Sequence, residues 1–522
     1  MKTLLSKFLL LLVLFNKVYG DICDRSCECI PKEDPMEVSC INASIHIIPQ
    51  DLPPYIEFLD LKDNAIVVIE STLSHYEELI SLDLSQNLIN TIRPRAFSRL
   101  GTLNQLDLSR NQLSRLNALD FEGLAGLKTL SLKGNQITEL HQKVFSNSVS
   151  LLEHLDLSNN QIYTFSHNVF HGLKKLKSLD LSHNRLTSMS FLRDLNLPIL
   201  QNLMLDGNNF GQIRENSPFQ RFQSLEFLSL VGCRLSKQSS DFFTGLSGLK
   251  ELDLTDNLIE TLPSKSLDNN DLNGLSILRV GSIIFRELNS GIGRLKGLTE
   301  LSISGCINSL PFHFEKNSLQ NNTKLKGVNI TSCPGLYHLP DGAFLDLPHL
   351  EYLHLRSNTL QSISPRIADW NSLNSVDLKL NPFKCDCSMS WIFELPGYDH
   401  FRSFIQTASC EDGDSLSHSK FLHCEKNIYS SHFWTIILGS VTGGLSLIAL
   451  IILGFWIFHR KKKKGSVSRF RRRKFGKINK HEISVIPERV SNPAGYKDVL
   501  TEESLPLGRN LSNFPDVKTS VL

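Results

Sequence analysis

The sequence predicts an α/β solenoid: one parallel sheet on the concave side of a horseshoe, cysteine-rich caps at both ends, one membrane helix, and a basic disordered tail. Three observations predict it. A short wording recurs between Ile56 and Phe383, most clearly as LISLDLSQNLI (79–89), LNQLDLSRNQL (103–113), LKTLSLKGNQI (127–137), LEHLDLSNNQI (152–162) and LKSLDLSHNRL (176–186). As the template LxxLxLxxNxL it returns in 14 registers at steps of 23 to 27 residues, and self-similarity at such a period means stacked coils. Eight of the 11 cysteines cluster just outside this array, at 23–40 and 385–424.

Within xLxLx the leucines alternate with polar residues, so one face of a strand points inward and the other to solvent. One such strand cannot bury its leucines alone; stacked neighbours share a core beneath a parallel sheet. The Asn that follows sits where the chain turns, and its amide can donate to and accept from the backbone of adjoining coils. It runs from Asn64 and Asn87 to Asn358 and Asn381, interrupted by Cys233, Ile283, Cys306 and Cys333. Cysteine is a small substitute with a weak donor. Ile283 can do neither job, so 272–297 reads as an irregular coil. This wording is that of leucine-rich repeats, and the array spans 53–383. A second signature follows on the convex side: AFSRL (96–100), DFEGL (120–124), VFHGL (169–173), FFTGL (242–246) and AFLDL (343–347). Phe three residues before Leu suits a short helical turn filling the convex layer.

At the start, Lys2 and Lys7, the apolar FLLLLVLF (8–15) and VYG (18–20) form a secretory signal peptide, 1–20, too short to span a bilayer. Secretion favours disulfides over metal ligation for the cysteine clusters. The stretches 21–52, with CDRSCEC (23–29) and Cys40, and 384–425, with NPFKCDCSMSWI (381–392), Cys410 and Cys424, read as caps that cover the open ends of the core. They resemble the N- and C-terminal flanks of extracellular leucine-rich-repeat proteins, with Trp391 as an aromatic filler. That resemblance implies the pairs Cys23–Cys29, Cys27–Cys40, Cys385–Cys410 and Cys387–Cys424. Cys233, Cys306 and Cys333 read as buried thiols at the ladder position; a bond between Cys306 and Cys333 in adjacent coils is the alternative. Asn42, Asn321 and Asn329 each open an N-x-S/T sequon. Asn329 lies between Val328 and Ile330, on the outward face of a strand.

Residues 433–458 carry no charge, and as a helix their length crosses a ~30 Å core. Trp434 and Trp456 sit at its ends, and RKKKK (460–464) follows, which places the C-terminus in the cytoplasm and the repeats outside. Gly439 and Gly443, four residues apart, would let two such helices pack as a homodimer. The tail, 459–522, carries a net charge of +10. Taking this and the three lysines of 1–20 from the whole-chain +2 leaves −11 for 21–458. The basic run 460–477 would hold anionic lipid; nucleic acid is not expected, since the run is tethered at the bilayer. Ser520–Val521–Leu522 looks like a ligand for a PDZ domain, and Tyr496 with Val499 resembles a tyrosine-based endocytic signal.

The outward strand residues are the usual partner surface. Asp60, Asp83, Asp107, Asp156 and Asp180 form an acidic stripe that favours a basic partner; much of it follows the repeat's commonest wording, LDLS. Met204, Phe227, Val231 and Ile277 then put apolar side chains where folding does not ask for them, the mark of a binding hot spot. No phosphate loop, GxSxG or HExxH is present, no grouping outside the caps has metal or cofactor spacing, and 64 cytoplasmic residues are too few for a kinase. The expectation is a non-enzymatic protein without cofactor at the plasma membrane. The chain resembles type I leucine-rich-repeat receptors and adhesion proteins, neuronal ones in architecture. This implies an extracellular protein ligand and an intracellular PDZ scaffold; the alternative is an innate-immune pattern-recognition receptor or co-receptor with a Toll-like ectodomain and no signalling domain.

Overall fold

The computed structural model describes the chain from Ser26 to Cys424, apart from 31–35, 146, 167, 214–216, 237–238, 240, 262–266, 268–269, 283, 307–310, 395–407, 417–420 and 422–423, together with Leu453. The chain divides into two units, 1–436 and 437–522. The first holds a sheet of 16 strands in chain order. Glu28–Ile30 runs antiparallel to Glu37–Ser39. From there every pairing is parallel, from Phe58–Asp60 through Ser81–Asp83, Gln105–Asp107 and their successors to Ser375–Asp377. The register follows the template: Leu82 lies beside Leu106, and Leu106 beside Leu130. These leucines, and Leu84, Leu108 and Leu132 two residues on, are fully buried. Each contributes about 1.5–3 kcal/mol on leaving water, but only because a neighbouring coil covers it.

The asparagines do what their chemistry allows. Asn87 Oδ1 accepts from Ile66 N–H at 3.0 Å, and its Nδ2 donates to the carbonyls of Leu61 and Leu84. Asn111, Asn135, Asn160 and Asn184 repeat the pattern, each tying its own turn to the coil before. Cys233 keeps half of it: Sγ donates to the Leu205 carbonyl at 3.2 Å, while its backbone carbonyl accepts from Phe210 N–H in place of an amide oxygen. The thiol is free, and burial pushes it up to about 12. The residue before the ladder position has a left-handed φ in coil after coil, at Asp63, Gln86, Arg110, Gly134, Asn159, His183 and Gly207. No side-chain pattern in the sequence announced this, because most of these residues are not glycine.

On the return side Phe97, Phe121, Phe145 and Phe170 are buried, and the Phe145 ring stacks on those of Phe121 and Phe170 at 6.1 and 6.0 Å. The described backbone there is turns and short 3-10 helices, such as Ser71–His75, Ser190–Asp194 and Ser290–Arg294. The short helical turn expected after the strand thus takes the form of turns and 3-10 helices. A coil of 23 to 27 residues, once strand and ladder turn are built, leaves no room for several α-helical turns.

From Glu251 the construction changes. Glu251–Asn257, Ile277–Ser282, Glu300–Ser304 and Gly327–Thr331 are five to seven residues long, against three in the earlier coils. The pairing of the first two shifts register between Leu254 and Asn257. Ile283 lies outside the described residues, but its neighbour Ser282 takes over the ladder: the buried hydroxyl donates to the Asn257 carbonyl and accepts from Ile284 N–H at 3.2 Å. Gly281 is required here, since a Cβ would sit 1.8 Å from the Ser304 carbonyl oxygen. Cys306 and Cys333 are joined by a disulfide, which corrects the reading of them as thiols. Adjacent coils stack the ladder position about 4.8 Å apart, and these two Cα atoms are 4.3 Å apart, so two thiols there lie within bonding reach.

At the N-terminal end Cys27 is bonded to Cys40; Cys29 is also disulfide-bonded, and Cys23 lies outside the described residues. At the other end Cys385 is bonded to Cys410 and Cys387 to Cys424. The 3-10 helix Cys387–Phe393 is capped by the Asp386 side chain and seats Trp391 against Trp370, with Trp391 Nε1 donating to the Ile363 carbonyl at 3.1 Å. Among the described residues no helix is long and apolar enough to cross a membrane. The expected span 433–458, Leu453 apart, lies outside those residues. So do the glycines 439 and 443, the basic run 460–477, Tyr496, Val499, Ser520, Val521 and Leu522.

Candidate ligand-binding face

Each three-residue strand turns its first and third side chains to the outer face, where Ser229 alone among the three-residue strands of the parallel series is buried, and the lateral register lines these up in columns. The third-residue column holds Asp60, Asp83, Asp107, Ser131, Asp156 and Asp180, then Met204, Ser229, Asp253, Arg279, Ser302, Asn329, His354 and Asp377. The aspartates have a local task. Oδ1 of each accepts the N–H two residues on: Lys62 from Asp60 at 2.9 Å, Ser85 from Asp83 and Ser109 from Asp107 at 2.7 Å, Ser158 from Asp156 and Ser182 from Asp180 at 2.8 Å. They pin the chain as it leaves the strand. Burial, with the charge of Asp83 added, raises the Asp60 carboxyl above its ordinary range; burial, with Asp156 and Asp206, does so for Asp180, against the hydrogen bonds that oppose it. The acidic stripe is therefore part of the scaffold as well as a surface.

The apolar residues stand differently. Met204, Phe227, Val231 and Ile277 are half-buried on outward positions. Phe227 and Ile277 share the first-residue column with Glu251 between them. Glu251 is bonded to Arg279, which also lies 4.0 Å from Asp253. The guanidinium pKa is raised, chiefly by the hydrogen bond it donates to Glu251. The charge between the two apolar chains is thereby neutralised within the sheet. Asp206 reaches into the next coil, where its carboxylate accepts from the Ser229 hydroxyl at 2.5 Å and from Val231 N–H at 2.8 Å, holding the strand that carries Phe227. Sequence reasoning missed Asp206 and Arg279. The available signal was the break in the LDLS wording at LMLDG (203–207) and LRVG (278–281).

A third cluster follows, in which sequence reasoning had named Asn329 and missed Tyr352 and Glu300. The Tyr352 ring lies over Gly327, where a Cβ would meet it at 2.0 Å, and its hydroxyl bonds Glu300 Oε1 at 3.3 Å, two strands away. His354 is 6.2 Å from Tyr352 between ring centres and 3.0 Å from Ser375 Oγ. Asn329, between Ser302 and His354, is half-buried, and its Nδ2 donates to Ser302 Oγ at 3.4 Å. The other two sequon residues, Asn42 and Asn321, are exposed. Among the described residues no group of three His, Cys, Asp or Glu side chains could hold a metal.

The family model for leucine-rich repeats matches residues 54–113, 77–137, 125–186 and 323–383. Leucine-rich repeat-containing protein 3 of Bos taurus is 40% identical over 91 residues, 17% of this chain and 35% of that protein. The high affinity nerve growth factor receptor of Mus musculus is 31% identical over 119 residues, 23% of this chain and 14% of that protein. This chain thus spans about a third or less of the length of these relatives. Among solved structures, the TLR13–ssRNA13 complex superposes with a TM-score of 0.57 at 28% identity, over 69% of this chain and 52% of that one.

Proposed function

We propose that this chain, a member of the leucine-rich-repeat family, is a single-pass cell-surface receptor or adhesion protein that binds an extracellular protein ligand on its sheet face. Membrane anchoring, the PDZ scaffold engaged by Ser520–Leu522, the lipid contact of 460–477 and pairing of two chains through Gly439 and Gly443 belong to this reading. The observation that carries it is the half-buried group Met204, Phe227, Val231 and Ile277 on an outward face that is polar in the coils from Ser81 to Asp180. An apolar centre with a polar surround is the anatomy of a protein–protein hot spot. The stripe from Asp60 to Asp180 flanks it, and its charge favours a basic rim on the partner.

The test is capture of cell-surface proteins by the secreted ectodomain, 21–432, with and without Phe227→Ala. Truncating a hot-spot aromatic costs about 2 kcal/mol or more, which is roughly 30-fold in affinity. Capture that ignores the substitution would end this reading of the face.

The likeness to a Toll-like receptor ectodomain favours the second reading, an innate pattern-recognition receptor or co-receptor. That complex contains a single-stranded RNA. A polyanion finds no attraction in the acidic column of this chain, since phosphate binding rests on basic neutralisation, so a protein ligand remains the proposal for this face. Deleting Ser520–Leu522 separates the two: scaffold-dependent localisation should be lost in the first and untouched in the second.

A further inference from the structure

We infer that the sheet face around Asn329 is the seat of an N-linked glycan whose first sugar packs on the Tyr352 ring, closing the last coils to the protein ligand. The inference rests on the secretory orientation proposed above. Among the described residues Asn329–Ile330–Thr331 is the one sequon whose Asn points out of a main-sheet strand. Beside it the face is prepared for a ring. Glycine at 327 weakens a strand and marks a close approach; here the inner face of Tyr352 covers it. The phenol is fixed by Glu300 and the neighbouring imidazole of His354 by Ser375, so neither side chain has to be ordered when a sugar arrives. The apolar C–H face of a pyranose suits the outer face of such a ring, as amphipathic partners suit tyrosine generally. In the transfer, Asn329 Nδ2 loses one proton and bonds C1 of an N-acetylglucosamine from a lipid-linked oligosaccharide, whose lipid pyrophosphate leaves. The remaining N–H keeps its bond to Ser302 Oγ.

The experiment uses the full chain made in mammalian cells, solubilised in mild detergent and treated with peptide-N-glycosidase, which converts each released Asn to Asp for mass spectrometry. Asn321, exposed and off the strands, is the internal reference. Asn329 should be occupied and released about tenfold more slowly than Asn321 in the native protein, the scale of one aromatic contact, and equally fast after denaturation. Tyr352→Leu should remove the difference, and Tyr352→Phe, which keeps the ring, should preserve it. An unmodified Asn329 beside an occupied Asn321, equal native rates, or a Phe variant that behaves like Leu overturns the seat alone. Bare asparagines at 42, 321 and 329 together overturn the cell-surface reading and the seat with it.

Discussion

The coils from Phe58 to Asn208 and those from Glu251 to Cys333 share a template and hold together by different means. In the first group every coil uses the same parts: three-residue strands, an amide at the turn, and in most an aspartate that captures the N–H two residues on. In the second the strands lengthen, Ser282 stands in for an amide, and a covalent bond joins two turns. Repetition in the first group consumes the outward side chains for local bonding. Where the ladder is improvised, the outward positions carry Ile277 and Arg279 instead. A conforming coil thus gives less information about ligands than a deviant one.

The sharpest break of this comparison is removal of the Cys306–Cys333 bond by a double Cys→Ser change. Closing a loop of 27 residues is worth ~3–4 kcal/mol, so chemical denaturation should show a loss of that size; a negligible loss would mean that the second group does not depend on its staple. Next comes Asn135→Ala, which strands the Leu113 N–H and the carbonyls of Leu108 and Leu132. With one buried donor and two acceptors abandoned, about 3 kcal/mol is expected. Ser282→Ala removes only a hydroxyl and should cost ~1–2 kcal/mol. If it equals Asn135→Ala in the same denaturation series, the two ladders are equivalent and the contrast fails.

The smallest effect concerns the acidic column. Because burial raises the Asp180 pKa, its charged form is disfavoured in the fold; the stability it lends is present at acid pH and lost as pH rises through its folded pKa. Asp180→Asn keeps an oxygen for Ser182 N–H and removes the charge. Its melting temperature should lie slightly above wild type at pH 7, with the gap closing as pH falls through the carboxylate range. A lower melting temperature at pH 7 would show that the charge stabilises the coil.

Much of this was legible in the sequence. The period placed the strands, and the chemistry of an amide foretold Asn87 and its kin bridging two coils. The Phe-x-x-Leu wording located Phe97 and Phe121 in the return layer. What escaped depends on backbone groups or on neighbours 20 to 30 residues away in sequence. Asp83 and Asp107 read as free surface charge because their partner is a backbone N–H, which no residue letter records. Ser282 was hidden beside the more conspicuous Ile283. Cys306 and Cys333 read first as thiols like the isolated Cys233, with the bond between adjacent coils as the alternative, and their stacking decides for the bond. Tyr352 over Gly327 belongs to the same class: each is ordinary alone, and the pair has meaning only across strands.

The opening hairpin has an effect beyond covering leucines. Because Glu28–Ile30 runs opposite to its neighbour, the first edge of the sheet faces outward in the wrong direction to continue the parallel series. The far edge, at Ser375–Asp377, is followed by a disulfide-bonded lid. Two copies brought tip to tip therefore do not continue one parallel series from sheet to sheet, which leaves the flanks and faces as the open surfaces.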